Sequence, residues 1–78
     1  MKPVYPPEAA IKRIEGVVHV EILIDETGRV VEARVVGSVP LLDEAALRTV
    51  REWLFTPALK NGRAVPTRAV ADVTFHIL

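Results

Sequence analysis

The sequence has no cysteine, few aromatic residues and no long apolar run. Without cysteine, the 78-residue chain cannot form a disulfide framework or a thiolate metal site. No apolar stretch approaches the roughly 20 residues that span a bilayer, and no signal-peptide pattern is recognisable. Lysine plus arginine and aspartate plus glutamate number ten each and are interspersed. This balance argues against a nucleic-acid partner, which requires a clustered basic face.

What the sequence does contain is apolar residues at half of its positions. This composition is typical of a globular chain rather than of a disordered one. The length allows one domain, and we expect it to cover residues 1–78.

The longest periodic segment lies within residues 41–58, LLDEAALRTVREWLFTPA. Its apolar residues recur at spacings of three and four, which predicts one long amphipathic helix. Asp43 and Glu44 favour its start, because the helix dipole favours negative charge there. Pro57 cannot continue a helix, so we expect it to end near Phe55. The predicted buried stripe consists of Leu42, Ala45, Ala46, Val50, Trp53 and Leu54.

Two segments before this helix alternate between apolar and polar residues, as strands with one buried face do. They cover residues 17–24 and 29–36, and the short turn Asp25-Glu26-Thr27-Gly28 makes them an antiparallel hairpin. The inward residues are predicted to be Val18, Val20, Ile22 and Ile24 in the first strand and Val31, Ala33 and Val35 in the second.

A short helix is predicted before the hairpin and a last strand after the long helix. Pro7 and Glu8 favour a helix over about residues 7–13 that Gly16 ends. Its buried side would consist of Ala10, Ile11 and Ile14. Asn61-Gly62 predicts a tight turn in a small irregular hairpin. The last strand covers residues 67–78, with an inward face of Ala69, Ala71, Val73, Phe75 and Ile77.

This order of elements predicts an α+β fold. Three antiparallel strands form a sheet in the order 2-1-3, and the long helix covers its apolar face while the other face stays wet. The expected architecture is a two-layer sandwich with a short N-terminal helix (α-β-β-α-β).

No catalytic or metal-binding arrangement stands out. Ser38 is the only serine, and its surroundings lack the nucleophile-elbow pattern. No glycine-rich phosphate loop is present. His19 and His76 lie on outward faces and could approach each other, but two histidines without a third ligand make a poor metal site. We therefore predict no enzyme, no cofactor and no metal, and interpret both histidines as solvated.

An ordered series of short motifs resembles the C-terminal domain of TonB-type energy transducers. Each motif is weak alone, whereas the series at family-like spacing is specific. The resemblance implies the same order of short helix, hairpin, helix and strand. The matching residues are Tyr5-Pro6, Ala10, Arg13-Ile14-Glu15-Gly16-Val17-Val18, Asp25, Gly28-Arg29-Val30, Val35, Ser38, Leu42-Asp43-Glu44-Ala45-Ala46, Trp53, Phe55, Pro57-Ala58, Asn61-Gly62 and Val65-Pro66.

The resemblance also implies a function and a location. Domains of this family are periplasmic, and in the parent proteins an inner-membrane helix and a proline-rich linker precede them. A motor complex of the ExbB/ExbD type drives that helix with the proton-motive force. The domain grips the TonB box, an extended segment of an outer-membrane transporter, and so powers nutrient uptake such as siderophore transport. The chain looks like a domain excised from an anchored parent, or a variant without the anchor.

The last strand is the predicted binding surface. It would lie at the sheet edge, where unpaired backbone groups can pair with a peptide, and no proline interrupts it. By the resemblance, the peptide-binding residues are Val70, Ala71, Asp72, Val73, Thr74, Phe75, Tyr5 and Pro6, and residues 2–6 lie near the transporter. From the residues alone, Tyr5-Pro6 is first a packing anchor. An alternative is a structural module of the same fold that forms a homodimer through this edge.

Overall fold

The helices and strands appear in the predicted order in a computed structural model, which describes residues 3–77. They are α1 (Pro7–Ile11), β1 (Gly16–Ile24), β2 (Val30–Gly37), α2 (Asp43–Arg51), β3 (Ala58–Lys60), β4 (Arg63–Val65) and β5 (Thr67–Phe75). Antiparallel β2, β1 and β5 form one sheet in that order, and β3 pairs with β4 as a separate hairpin. The α+β class and the 2-1-3 strand order are thus confirmed. None of the helices in residues 3–77 is long and apolar enough to cross a membrane.

The core lies between α2 and one face of the sheet. The alternation of β1 is confirmed, because Val18, Val20, Ile22 and Ile24 are at most 5% exposed. Fully burying a large apolar side chain contributes about 1.5–3 kcal/mol, so this strand supplies much of the stability. The other buried apolar residues are Ala9, Leu42, Ala45, Ala46, Val50, Ala71, Val73 and Phe75.

The helix α2 has nine residues, and the prediction of a long helix from residue 41 to about 55 was wrong. At its start, Leu41 adopts φ 73°, a left-handed conformation that a helix cannot contain. The Asp43 carboxylate accepts a hydrogen bond from the Val39 N–H at 2.8 Å and another from the Ser38 hydroxyl. These bonds fix the connecting loop against the first turn of α2.

The end of α2 is set by contacts with the turn between β1 and β2. Leu54 forms an isolated β-bridge with Arg29, and the Phe55 N–H donates to the Gly28 carbonyl at 2.8 Å. These backbone groups cannot also continue the helix. Leu54 is therefore 72% exposed instead of lying on the buried stripe, while Trp53 is half-buried against the core.

The prediction that Val31 faces inward was also wrong, because β2 contains a bulge. Leu23 pairs with Glu32 and Ile24 pairs with Val30, so Val31 is an extra residue in the ladder. Val31 is 54% exposed, and Val30 packs against the core instead.

The predicted helix of residues 7–13 is shorter than expected, and a different face is buried. Arg13 adopts φ 55° and ends the turn, where Gly16 was expected to do so. Ala9 is the buried residue, whereas Ala10 is exposed and Ile11 is 82% exposed. Successive helical residues point about 100° apart, so this single turn buries only Ala9 and leaves Ala10 and Ile11 exposed. Ile14, which follows the helix, is half-buried.

The last strand is also shorter than predicted. It ends at Phe75, and Ile77 lies beyond it with its N–H donating to the Glu15 carboxylate at 2.9 Å. Ala69 is exposed instead of buried, because α2 lies mainly over β2 and β1. Lys2, in the predicted entry segment of residues 2–6, and Leu78, at the end of the predicted last strand, lie outside the described residues.

Candidate functional site

The strand β5 is an edge strand with one unpaired side. Its inner side pairs with β1 without interruption, from Gly16 opposite Phe75 to Ile24 opposite Thr67. Within residues 3–77, no strand pairs with its outer side. Antiparallel strands direct the N–H and C=O groups of alternate residues to opposite sides, so every second residue of β5 offers its backbone groups outward. This edge can receive another strand.

The six predicted site residues on β5 divide into two sets. Ala71, Val73 and Phe75 are 8%, 2% and 2% exposed, so their side chains belong to the core and are not available to a partner. The side chains exposed beside the edge are those of Val70, Asp72 and Thr74. An added strand would therefore pair with the backbone of alternate residues of β5 and lie beside its exposed side chains on the wet face.

A side-chain contact next to the edge was not predicted from the sequence. His19 lies directly opposite Asp72 in the ladder, and its Nδ1 is 2.6 Å from the Asp72 carboxylate. Both side chains are about half exposed, so the pair is a weak contributor to stability. In the antiparallel pairing of the first and last strands, residue 19 lies opposite residue 72. This register, worked out from the sequence, would have predicted the contact.

Further ion pairs connect the wet faces of the three strands. The Arg34 guanidinium lies 2.9 Å from the carboxylate of Glu21, and the Arg68 guanidinium lies 3.9 Å from Glu21 and 3.8 Å from Glu32. The charge of Arg68, at the start of β5, is thus shared between two carboxylates.

Tyr5 packs against the other end of β5 and is not on the open edge itself. Its ring meets the Phe75 ring edge to face, with centroids 5.5 Å apart and planes at 86°. Its hydroxyl donates to the Ile14 carbonyl. Loss of hydration, with a smaller effect of the Glu15 charge, raises the pKa of Tyr5. Pro6 is half-buried as the N-cap of α1, so both residues anchor the N-terminal segment to the sheet.

The two histidines are held by separate carboxylates. His76 lies 3.4 Å from Glu15, whereas His19 faces Asp72. In residues 3–77 no three metal-binding side chains come together.

Comparison with known proteins gives a consistent result. Residues 1–77 match the family described as Gram-negative bacterial TonB protein C-terminal. The chain is 30% identical over 79 residues to Protein TonB of Vibrio cholerae, an alignment that covers 99% of this chain and 32% of that protein. It is 34% identical over 77 residues to Protein TonB of Pseudomonas aeruginosa, covering 96% of this chain and 22% of that protein. The chain therefore spans a third or less of the length of these relatives.

Proposed function

The chain belongs to the family of Gram-negative bacterial TonB C-terminal domains, and we propose that it binds the TonB box of an outer-membrane transporter by strand addition to β5. The observation that carries this proposal is the unpaired outer side of β5 within residues 3–77. Family membership also confirms the prediction of a non-enzymatic domain.

In this proposal, the backbone of β5 provides affinity for the peptide and its exposed side chains provide selectivity. The backbone of residues 70–75 supplies hydrogen bonds to the peptide, and exposed Val70, Asp72 and Thr74 select its side chains. Tyr5 and Pro6 hold the Phe75 end of the strand in place. The buried side chains of Ala71 and Val73 anchor this part of β5 to the core.

The expected affinity is modest. Each backbone hydrogen bond contributes about 0.5–1.5 kcal/mol net, and a flexible peptide loses conformational entropy when it binds. About six such bonds, less that cost, correspond to a dissociation constant on the order of micromolar. Binding of this strength suits a connection that must form and release repeatedly.

The proposed binding would be one step of a transport cycle. We propose that an N-terminal anchor lies in the inner membrane, that an ExbB/ExbD-type motor complex acts on it, and that the domain works in the periplasm. The domain would then transmit energy derived from the proton-motive force to nutrient uptake, including siderophore transport. The similarity to proteins named TonB supports this role.

An NMR titration with TonB-box peptides from transporters of the source organism tests the binding mode. We expect the largest shifts in the amides of residues 68–76. Two peptides N-methylated at alternate positions provide a control, because strand addition requires only alternate N–H groups to face β5. One methylated peptide should bind and the other should not. A monomeric domain without any shift in this region would rule out the mechanism for these peptides.

The same edge supports a second candidate function. β5 has neither a proline nor a register shift along its pairing with β1, so it lacks two of the common protections of an exposed edge. Two copies pairing through β5 would give a symmetric dimer of a structural module. Light scattering over a range of concentrations distinguishes the two candidates, since a dimer would have its edge occupied and would not respond to the peptides.

A further inference from the structure

A second surface lies beside β2, at the opposite edge of the sheet from β5. Three cavities of about 400, 360 and 390 Å³ follow one another from β2 to the segment after α2. Neighbouring cavities share lining residues, and we call the strip of surface that they occupy together the β2 groove. The residues that line two of its cavities are Val30, Val31, Arg51, Glu52, Trp53 and Leu54.

The β2 groove is apolar where the fold departs from regular structure. The bulge turns Val31 outward, and the β-bridge to Arg29 holds Leu54 outside the core. These side chains are 54% and 72% exposed. The outer side of β2, like that of β5, pairs with no strand within residues 3–77. The groove therefore combines exposed apolar side chains with unpaired strand backbone.

The groove also has polar groups that lack partners. Arg51 lines two of the cavities, and no carboxylate among residues 3–77 lies within 4.0 Å of its guanidinium. The same holds for Arg29. Glu32 is engaged with Arg68 on the other face at 3.8 Å, which leaves Glu52 as the acidic group in the lining. The buried Trp53 Nε1 has no acceptor in this part of the chain, and such unpaired donors are rare in folded proteins.

From these features we propose that the β2 groove binds an extended acidic and apolar peptide segment of a partner protein. Its apolar side chains would cover Val31 and Leu54, and a carboxylate would pair with Arg51. An extended peptide can contact all three cavities beside the strand edge, whereas a small ligand would fill only one of them. This site is separate from β5 and does not depend on the function proposed for that strand, so two partners can bind at once.

Trp53 makes the site directly observable, since it is the only tryptophan in the chain. The probe is a short capped peptide of alternating valine and glutamate, and the charge control replaces each glutamate by lysine. We expect the glutamate peptide to change Trp53 fluorescence and to shift its indole N–H and the amides of residues 30–36. The lysine peptide should bind about tenfold more weakly, and added salt should reduce the difference.

Two matched pairs of variants test the assignment to individual residues. Arg51→Gln should weaken binding about threefold, whereas Arg48→Gln, at an exposed position of α2 outside the groove, should not. Leu54→Ser should weaken binding similarly, whereas Leu59→Ser, at a position 69% exposed on β3, should not. All four side chains are exposed, so the fold should be retained, and thermal unfolding of each variant checks this.

Two results would overturn the proposal. One is an equal affinity of the Arg51→Gln and Arg48→Gln variants for the glutamate peptide. The other is a set of shifts confined to residues 68–75, which would assign the peptide to β5 and leave the β2 groove without a function. Failure of TonB-box peptides to bind β5 is a different result and has no bearing on this site.

Discussion

Gly28 and Phe55 are in direct backbone contact. The Phe55 N–H donates to the Gly28 carbonyl at 2.8 Å, and a Cβ atom on Gly28 would lie 1.9 Å from the Phe55 carbonyl oxygen. Gly28 also has φ +88°, a conformation that favours glycine. The turn between β1 and β2 therefore fixes where the chain leaves α2, and through it the position of Leu54.

The first prediction concerns this contact. Gly28→Ala should destabilise the domain by more than about 2 kcal/mol, because a backbone clash adds to the left-handed strain of about 1 kcal/mol or more. Gly62→Ala is the matched control: Gly62 has φ +76° with nothing within 4 Å of an added Cβ. The Gly62→Ala variant should lose only the stability that the left-handed conformation costs an alanine. Urea denaturation measures both, and equal losses would mean that the Gly28–Phe55 contact is not rigid.

The second prediction concerns acid stability and Asp25. Hydrogen bonds from the Thr27 hydroxyl and from the Arg29 and Thr27 N–H groups lower the pKa of Asp25. A pKa that is lower in the folded state stabilises the fold above the unfolded-state pKa of about 3.9, and this stability is lost as the pH falls through the folded value. Asp25→Asn should be less stable at neutral pH and should lose less on acidification. Unfolding curves between neutral and acidic pH, with Glu26→Gln as control, test this.

The third prediction concerns alkaline stability and Tyr5. Its pKa is raised because burial and the Glu15 charge disfavour the phenolate. The resulting stabilisation is complete below about pH 10 and is lost as the pH rises through the folded-state pKa. Tyr5→Phe keeps the ring against Phe75 but loses the hydrogen bond to the Ile14 carbonyl. The variant should be less stable at neutral pH, and its deficit should shrink at alkaline pH. Tyr5 is the only tyrosine, so phenolate absorbance reports its titration directly.

The fourth prediction separates core from surface on β5. Val73 is 2% exposed and Val70 is 60% exposed. Val73→Ala should destabilise the domain by about 2 kcal/mol, whereas Val70→Ala should change stability by less than about 0.5 kcal/mol. If the TonB box pairs with β5, Val70→Ala should instead reduce peptide affinity. Thermal unfolding and peptide titration of both variants measure these effects. A large loss of stability in Val70→Ala, or none in Val73→Ala, would contradict the prediction.

The regular parts of the fold could be predicted because they follow from local patterns. The alternation of β1 identifies its four buried residues, and the Asn61-Gly62 turn marks the β3–β4 hairpin. Both positive φ values of that turn, 52° and 76°, are those that the residue pair favours. The edge position of β5 followed from the strand order, and with it the candidate site.

The irregular parts could not be predicted because distant segments determine them. The helical pattern of residues 41–55 is continuous, yet backbone bonds to the β1–β2 turn end α2 at Arg51. The bulge at Val31 depends on the pairing with β1. Since the β2 groove is formed by these two irregularities, no periodicity in the sequence could indicate it.

The antiparallel ladder between β5 and β1 has a mechanical consequence. Its hydrogen bonds lie perpendicular to the strands and extend over the whole length of β5. Tension along the strand axis loads all of these bonds in shear at once, whereas tension across the sheet would peel them apart one pair at a time. The domain is therefore mechanically anisotropic, and the direction of a pull on β5 determines its resistance as much as the strength of any single bond.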